Sequence, residues 1–146
     1  MNIIKNIVLG FIAGAIAAFT VYELFSWIFG NYWTPPWPRP AWSFEPADFW
    51  GVPRVLNDVL IGGLWGALFG LILGTLPEGM LTFRGAILGL FIPALLAALL
   101  ITPLISGEGV LLDGDVGRII PPLVIWTAWG AFAAWLYGFF QYGRLP

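Results

Sequence analysis

The sequence contains neither cysteine nor histidine. Without cysteine, the chain cannot form disulfides, thiolate nucleophiles or zinc–thiolate sites. Without histidine, it cannot ligate haem, iron or copper through imidazole, and it lacks the usual general base of a hydrolytic triad. Most redox chemistry is therefore excluded unless a partner supplies the ligands. We expect the chain to bind no cofactor and no metal, and to be no enzyme.

Charged residues are also scarce, at 10% of 146 residues, against roughly 25% in an ordinary soluble domain. The net charge is −2, and no run of Lys or Arg occurs. Nucleic acid attracts a protein through a basic patch, so we expect no nucleic-acid partner. Too few polar side chains remain to cover a soluble core, and we expect the lipid bilayer to cover much of the surface.

Hydrophobic residues, in contrast, make up 60% of the chain and form four long stretches. Each stretch is close to the roughly 20 residues with which an α-helix crosses a ~30 Å hydrocarbon core. A β-barrel would require many short segments of alternating polarity. The sequence therefore predicts a single all-α membrane domain over residues 1–146, a four-transmembrane-helix bundle. Its predicted spans are residues 4–29, 58–76, 83–105 and 119–142.

The predicted loop at residues 30–57 is rich in Pro and Trp. Proline fixes φ and removes a backbone donor, so most of this loop cannot be a regular helix. We expect the loop to lie in the membrane interface as a cap. At its end, Asn57 and Asp58 are predicted to cap the second helix.

The predicted loop at residues 106–117 is acidic. Its acids are too few to supply the ligands of a calcium loop, so a solvated turn is predicted. These acids are Glu108, Asp113 and Asp115.

The orientation of the chain in the membrane depends on its basic residues. Lys and Arg favour the cytoplasmic side, but they divide equally between the two ends of the predicted bundle. We favour cytoplasmic termini in a bacterial-type inner membrane, because the Trp- and Pro-rich loop is more typical of an exoplasmic cap. The equal division leaves a dual topology open. The two groups are Lys5, Arg84 and Arg144 at the end with the termini, and Arg39, Arg54 and Arg118 at the other.

The two halves of the sequence resemble each other. A shift of 79 residues pairs the first stretch with the third, and a shift of 64 pairs the second with the fourth. The pattern predicts a tandem repeat of two helical hairpins, with chance matching among small residues as the alternative. The paired residues include Gly10 with Gly89, and Trp65-Gly66-Ala67 with Trp129-Gly130-Ala131.

Glycines recur every four residues in the predicted spans, which is typical of a glycine zipper. Small residues at this spacing let two helix backbones approach closely, a main source of helix association in lipid. The partner helix is either in the same chain or in another subunit. The predicted packing interface consists of Gly10, Gly14, Gly62, Gly66, Gly70, Gly74, Gly85 and Gly89.

Glu23 is the one acidic residue inside a predicted apolar span. An intramembrane carboxylate is a candidate for proton or cation transport. At about 1.5 Å per residue, however, Glu23 lies near the far interface, where it could reach the headgroups or pair with Arg39 or Arg54. Both interpretations stay open.

Tryptophans fall into two groups. The first is predicted to form an aromatic belt at one membrane boundary: Trp27, Trp33, Trp37, Trp42 and Trp50. The second lies deeper and either fills the core or lines a cavity: Trp65, Trp126, Trp129 and Trp135. Pro93 is predicted to open the third span beside such a cavity, whereas Pro121 and Pro122 are predicted in the first turn of the fourth, where the missing amide costs nothing.

Three functions are compatible with these patterns. The leading hypothesis is a non-catalytic structural, accessory or assembly subunit that packs through its small-residue faces against copies of itself or other membrane subunits. The first alternative is a small homo-oligomeric transporter or channel that uses Glu23. The second is a binding site for a quinone or pigment in a groove lined by Trp65, Trp129 or Trp135.

Overall fold

A computed structural model describes residues 2–46, 51–77, 79–107 and 109–143, except the side chains of Val110 and Asp113. Within this part of the chain, four helices are long and apolar enough to cross a membrane, which confirms the predicted all-α class. Glu108 of the acidic loop, Trp50 of the aromatic belt and Arg144 lie outside the described residues. The four helices, called spans below, are Ile3–Tyr32, Arg54–Gly74, Leu81–Ile105 and Val116–Tyr142.

Two of the spans change their winding along their length. The first is α-helical over Ile3–Ala17, π-helical over Ala18–Tyr22 and α-helical again over Glu23–Tyr32. The third is α-helical over Leu81–Gly89, π-helical over Leu90–Ile101 and α-helical over Thr102–Ile105. Because π-helical turns are rare and are frequently found at functional sites, these two stretches are candidates for a functional region.

The second span begins at Arg54, earlier than predicted, and its first turn is capped by backbone. The carbonyl of Glu45 accepts the amide of Arg54 at 2.9 Å, and that of Ser43 accepts the amide of Val55 at 2.9 Å. Asp58 therefore lies inside the helix, like Asn57. The prediction that these two residues cap the helix was wrong, because the preceding loop folds back and supplies the acceptors itself.

The fourth span also begins earlier, at Val116, and the Asp115 carboxylate caps it by accepting the amide of Gly117 at 3.1 Å. Pro121 therefore lies in the second turn rather than in the predicted first turn. Because proline has no backbone N–H, the carbonyl of Gly117, four residues earlier, receives no hydrogen bond from Pro121. The indole N–H of Trp33 donates to that carbonyl instead, at 2.7 Å, and so joins the Trp-rich loop to the fourth span.

The glycine faces lie inside the chain and join the first span to the second. A Cβ atom added to Gly66 would meet the backbone of Gly10 and lie 2.7 Å from the Cα of Gly14. Gly70 approaches Gly10 in the same way, and Gly62 approaches Gly14. The two backbones are therefore in direct contact along this face.

The third and fourth spans meet through a shorter face of the same kind. Gly85 and Gly89 both face the backbone of Gly130, where an added Cβ would be too close. Gly74, at the end of the second span, faces the side chain of Asn6 instead of another glycine. The first span also packs on the fourth, whereas the second makes hardly any contact with the third.

Candidate ligand-binding cavity

A cavity of about 350 Å³ lies where the second and third spans fail to meet. On one side of it stand Ile61 and Trp65 of the second span. On the other stands the π-helical stretch of the third span, with Pro93 and Ala98. Pro93 has no amide to donate, and the wider turn around it displaces the backbone from a regular α-helix.

Aromatic rings form much of the wall. Tyr22 and Trp126 lie with ring centroids 4.9 Å apart and interplanar angle 53°, and both line the cavity together with Trp37 and Trp65. Aromatic faces supply large apolar contact areas at low entropic cost. The cavity is therefore suited to an apolar molecule that stacks on these rings.

One end of the cavity is cationic. It is lined by Arg39 from the Trp-rich loop and by Arg118 from the first turn of the fourth span. Both arginines are exposed, and so is Thr102, which also lines the cavity. A second cavity of about 250 Å³, between the Trp-rich loop and the start of the fourth span, shares Trp37 and Arg118 with the first. The polar end of the cavity thus faces the same end of the bundle as the two long loops.

Of the residues predicted to line a cavity, the structure places Trp65 and Pro93 there and two others elsewhere. Trp129 is fully buried in the core, with its ring centroid 5.1 Å from that of Phe69. Its indole N–H donates to the carbonyl of Gly14 at 3.0 Å, which directs the ring towards the first span. Trp135 stacks on Phe132 at a centroid distance of 5.8 Å.

Glu23 is fully buried, but it does not line this cavity. Its carboxylate oxygen Oε2 accepts the backbone amide of Trp42 at 3.0 Å. The carboxyl group of Asp58 in the second span lies close to that of Glu23. Glu23 therefore contacts the backbone of the Trp-rich loop, a contact that differs from the expected pairing with Arg39 or Arg54.

A polar cluster surrounds the two carboxyl groups. Arg39 lies near the hydroxyl of Tyr22 and near Asp58, and Arg54 also lies near Asp58. Glu23 is fully buried and Asp58 is partly buried, whereas Arg39 is exposed. Buried ionic groups are stable only when they are paired and hydrogen-bonded. The cluster joins the loop to the first two spans.

Tryptophans of the predicted belt hold the same loop in place. Trp42 donates its indole N–H to the carbonyl of Phe19 at 2.9 Å, and Phe19 lies in the first π-helical stretch. The amide of Trp37 donates to the carbonyl of Phe29 at 3.1 Å. Trp27 is 44% exposed and contacts the edge of Tyr32, as expected for a side chain at a membrane boundary.

Sequence analysis did not connect Arg118 or Asp58 with a site, and it considered Arg39 only as a marker of orientation and as a partner of Glu23. The available signal was that Arg39 lies in the Trp-rich loop and that Arg118 directly follows the acidic loop. The signal for Asp58 was its place at the start of an apolar stretch, which is equally typical of a helix cap.

The fold and the cavity define a class: an all-helical chain with four helices of membrane-spanning length, as in a multi-pass membrane protein, around an aromatic cavity with a cationic end. No protein-family model, no curated protein and no solved structure matches the chain.

Proposed function

We propose that the chain is a non-catalytic integral membrane protein that inserts its four spans in a bilayer and holds a small apolar or amphiphilic molecule in the aromatic cavity. The observation that carries the proposal is the cavity of about 350 Å³ between the second and third spans. Ligand pockets have volumes of about 300–1,000 Å³ and are lined mainly by hydrophobic and aromatic side chains. A quinone or a pigment belongs to this class of ligand.

Catalysis is left out of the proposal because the cavity offers no nucleophile and base together. The chain has no cysteine and no histidine. Among the described residues that line the cavity, none is a carboxylate. Acid–base and covalent catalysis require such groups within hydrogen-bonding reach of the substrate.

The two other hypotheses lose their main support. The accessory-subunit hypothesis depended on glycine faces that would meet a partner, and those of the described residues meet each other within the chain. The transporter hypothesis depended on a water-accessible Glu23, which is buried and bonded to the loop. Both remain outcomes of the experiment below.

We also propose that the chain is a tandem repeat of two hairpins. Gly66 lies between Gly10 and Gly14, and Gly130, its counterpart in the shift of 64 residues, approaches Gly85 and Gly89 in the same manner. These contacts make Gly14 the counterpart of Gly89, whereas the shift of 79 residues makes Gly10 its counterpart. The two correspondences differ by one helical turn. The shared packing supports a common origin of the two hairpins.

For orientation, we propose cytoplasmic termini in a bacterial-type inner membrane. The bond between Trp33 and Gly117 shows that the Trp-rich loop and the start of the fourth span lie at one end of the bundle. That end carries the longer Trp- and Pro-rich loop, which we assign as an exoplasmic cap.

Native mass spectrometry of the chain purified in mild detergent tests the proposed function. We expect one small molecule bound to each chain, which extraction and fragmentation then identify. Ala98→Phe places a ring in the cavity and should remove the bound mass. Leu96→Phe changes an exposed position of the same helix and should retain it.

Other outcomes would contradict the proposal. A chain that carries no small molecule and takes up none when quinones or pigments are added would refute it. Elution with larger membrane subunits at fixed stoichiometry would favour the accessory role. Proton flux in liposomes that Glu23→Gln abolishes would favour transport.

A further inference from the structure

We propose that the ligand of this cavity is an amphiphile with an anionic head group, a carboxylate or a phosphate, held by Arg39 and Arg118 while its apolar chain lies against Trp65 and Trp126. This inference names the ligand class of the proposed function and rests on it.

The distribution of charge along the cavity carries the inference. Among the described residues that line the cavity, the charged ones are Arg39 and Arg118, and both are cations. They stand together at one end, and the rest of the wall is apolar apart from Tyr22 and Thr102. An anionic head group would complement these two cations, whereas a neutral head group would not.

The geometry of arginine suits this role even though both side chains have other contacts. Arg39 lies near Tyr22 and Asp58, and Arg118 also has a partner. Each guanidinium carries five N–H donors in a planar fork. An arginine that is oriented by a neighbour therefore keeps donors for a carboxylate or phosphate, which it can bind with two parallel bonds.

The depth of the cavity suits the apolar part of the ligand. Trp126 follows Arg118 by eight residues in the fourth span, which corresponds to about 12 Å at 1.5 Å per residue. The apolar part of the cavity wall also includes Ile61, Ala97 and Ala98. A ligand with a chain of this length can keep its head among the arginines while the chain contacts the tryptophans.

The acidic groups nearby do not oppose this arrangement. Asp58 lies near Arg39 and Arg54 on the side of the Trp-rich loop, and neither Asp58 nor Glu23 lines the cavity. Among the described residues, the charged groups that line the cavity are therefore the two arginines.

The inference can be tested with three probes: dodecyl phosphate, dodecanol and inorganic phosphate. Dodecanol shares the apolar chain of dodecyl phosphate, and inorganic phosphate shares its head group. Binding is measured on the full chain in neutral-lipid nanodiscs, with empty nanodiscs as background. We expect dodecyl phosphate to bind about 10-fold more tightly than dodecanol, because charge-assisted hydrogen bonds add to the shared apolar contact. Inorganic phosphate should not compete, since it lacks the apolar chain.

Substitutions localise the effect. Arg118→Gln should weaken dodecyl phosphate binding about 10-fold and leave dodecanol binding unchanged. Arg84→Gln is the matched control, because Arg84 lies at the other end of the bundle and donates to the carbonyl of Pro77 at 2.5 Å. Arg39→Gln also removes the contacts to Tyr22 and Asp58, so the comparison of probes on the unaltered chain decides the question.

The outcomes separate this inference from the proposed function. Equal binding of dodecyl phosphate and dodecanol would overturn the anionic head group and leave the cavity as an apolar site. Binding of inorganic phosphate as tight as that of dodecyl phosphate would overturn the amphiphile in favour of a soluble anion. Failure of every probe, together with an empty chain in native mass spectrometry, would overturn both.

Discussion

At the scale of single residues, several glycines lie where an added Cβ atom would meet the backbone of a neighbouring helix. A flexible side chain could rotate away from an added methyl group, but a backbone cannot. Around Gly66, the nearest atoms belong to the backbone of Gly10 and Gly14. The stability of the first hairpin therefore depends on the absence of a side chain at this position.

Gly66→Ala is expected to lower the free energy of unfolding in detergent by about 1–3 kcal/mol, the usual cost of overpacking. Gly30→Ala is the control, because its added Cβ would lie 3.8 Å from the carbonyl oxygen of Trp37, an ordinary contact. Alanine has the higher helix propensity, so this variant should be neutral or up to about 1 kcal/mol more stable. Equal destabilisation of the two variants would contradict the observed helix contact.

Trp129 links the fourth span to the first by a single bond to the carbonyl of Gly14. Trp129→Phe is expected to cost at least about 0.5–1.5 kcal/mol, the net value of a buried hydrogen bond, in addition to the lost ring volume. Trp135→Phe loses a similar volume but keeps the stacking on Phe132. Chemical denaturation of both variants in the same detergent should therefore show the larger loss for Trp129→Phe.

At the scale of elements, the Trp-rich loop behaves as part of the helical bundle. Its backbone carbonyls cap the second span, its tryptophans bond to the first and fourth, and its Arg39 reaches the cavity. Glu23 provides a further anchor by accepting the amide of Trp42. The loop thus closes one end of the cavity, and its position depends on a few buried polar contacts.

Glu23→Leu should loosen this loop without unfolding the spans. Leaving the Trp42 amide without its acceptor costs about 1–3 kcal/mol and should accelerate hydrogen exchange of this amide by about 5- to 150-fold. Glu23→Gln retains an oxygen acceptor and should change this exchange much less. Unchanged exchange in Glu23→Leu would show that the carboxylate does not anchor the loop.

At the scale of the whole molecule, the two ends of the bundle differ in chemistry. The Trp-rich loop, Arg118 and the cationic end of the cavity lie at one end. The start of the first span and the end of the fourth lie at the other, where Gln141 hydrogen-bonds to Asn6. An amphiphile of the proposed class would therefore hold its head group at the interface on the loop side.

The proposed orientation predicts which engineered cysteines react with a membrane-impermeant maleimide. Ser106→Cys and Thr75→Cys are matched positions, since both residues are exposed at helix ends and their hydroxyls bond only within their own helices. The chain has no cysteine of its own. In intact bacterial cells, Ser106→Cys should be labelled and Thr75→Cys should not. The reverse pattern would invert the orientation, and labelling of both would indicate a dual topology.

The number and approximate position of the long helices could be predicted from the sequence, because crossing a ~30 Å apolar layer requires an uninterrupted run of about 20 apolar residues. That requirement is local, so it can be evaluated stretch by stretch. The expectation that Pro93 would disturb the third span has the same local basis. Helix starts were less predictable, since the acceptors that cap Arg54 and Val55 come from a folded-back loop.

The sequence by itself thus determined the helical class, the four apolar helices and the scarcity of reactive side chains. Only the tertiary structure decided that the glycine faces meet each other, that Glu23 accepts the amide of Trp42, and that Trp129 fills the core while Trp65 lines a cavity. The physical reason is that a hydrophobic run specifies a helix but leaves its rotation about its own axis open. Packing between helices sets that rotation, and with it the side chains that share a site.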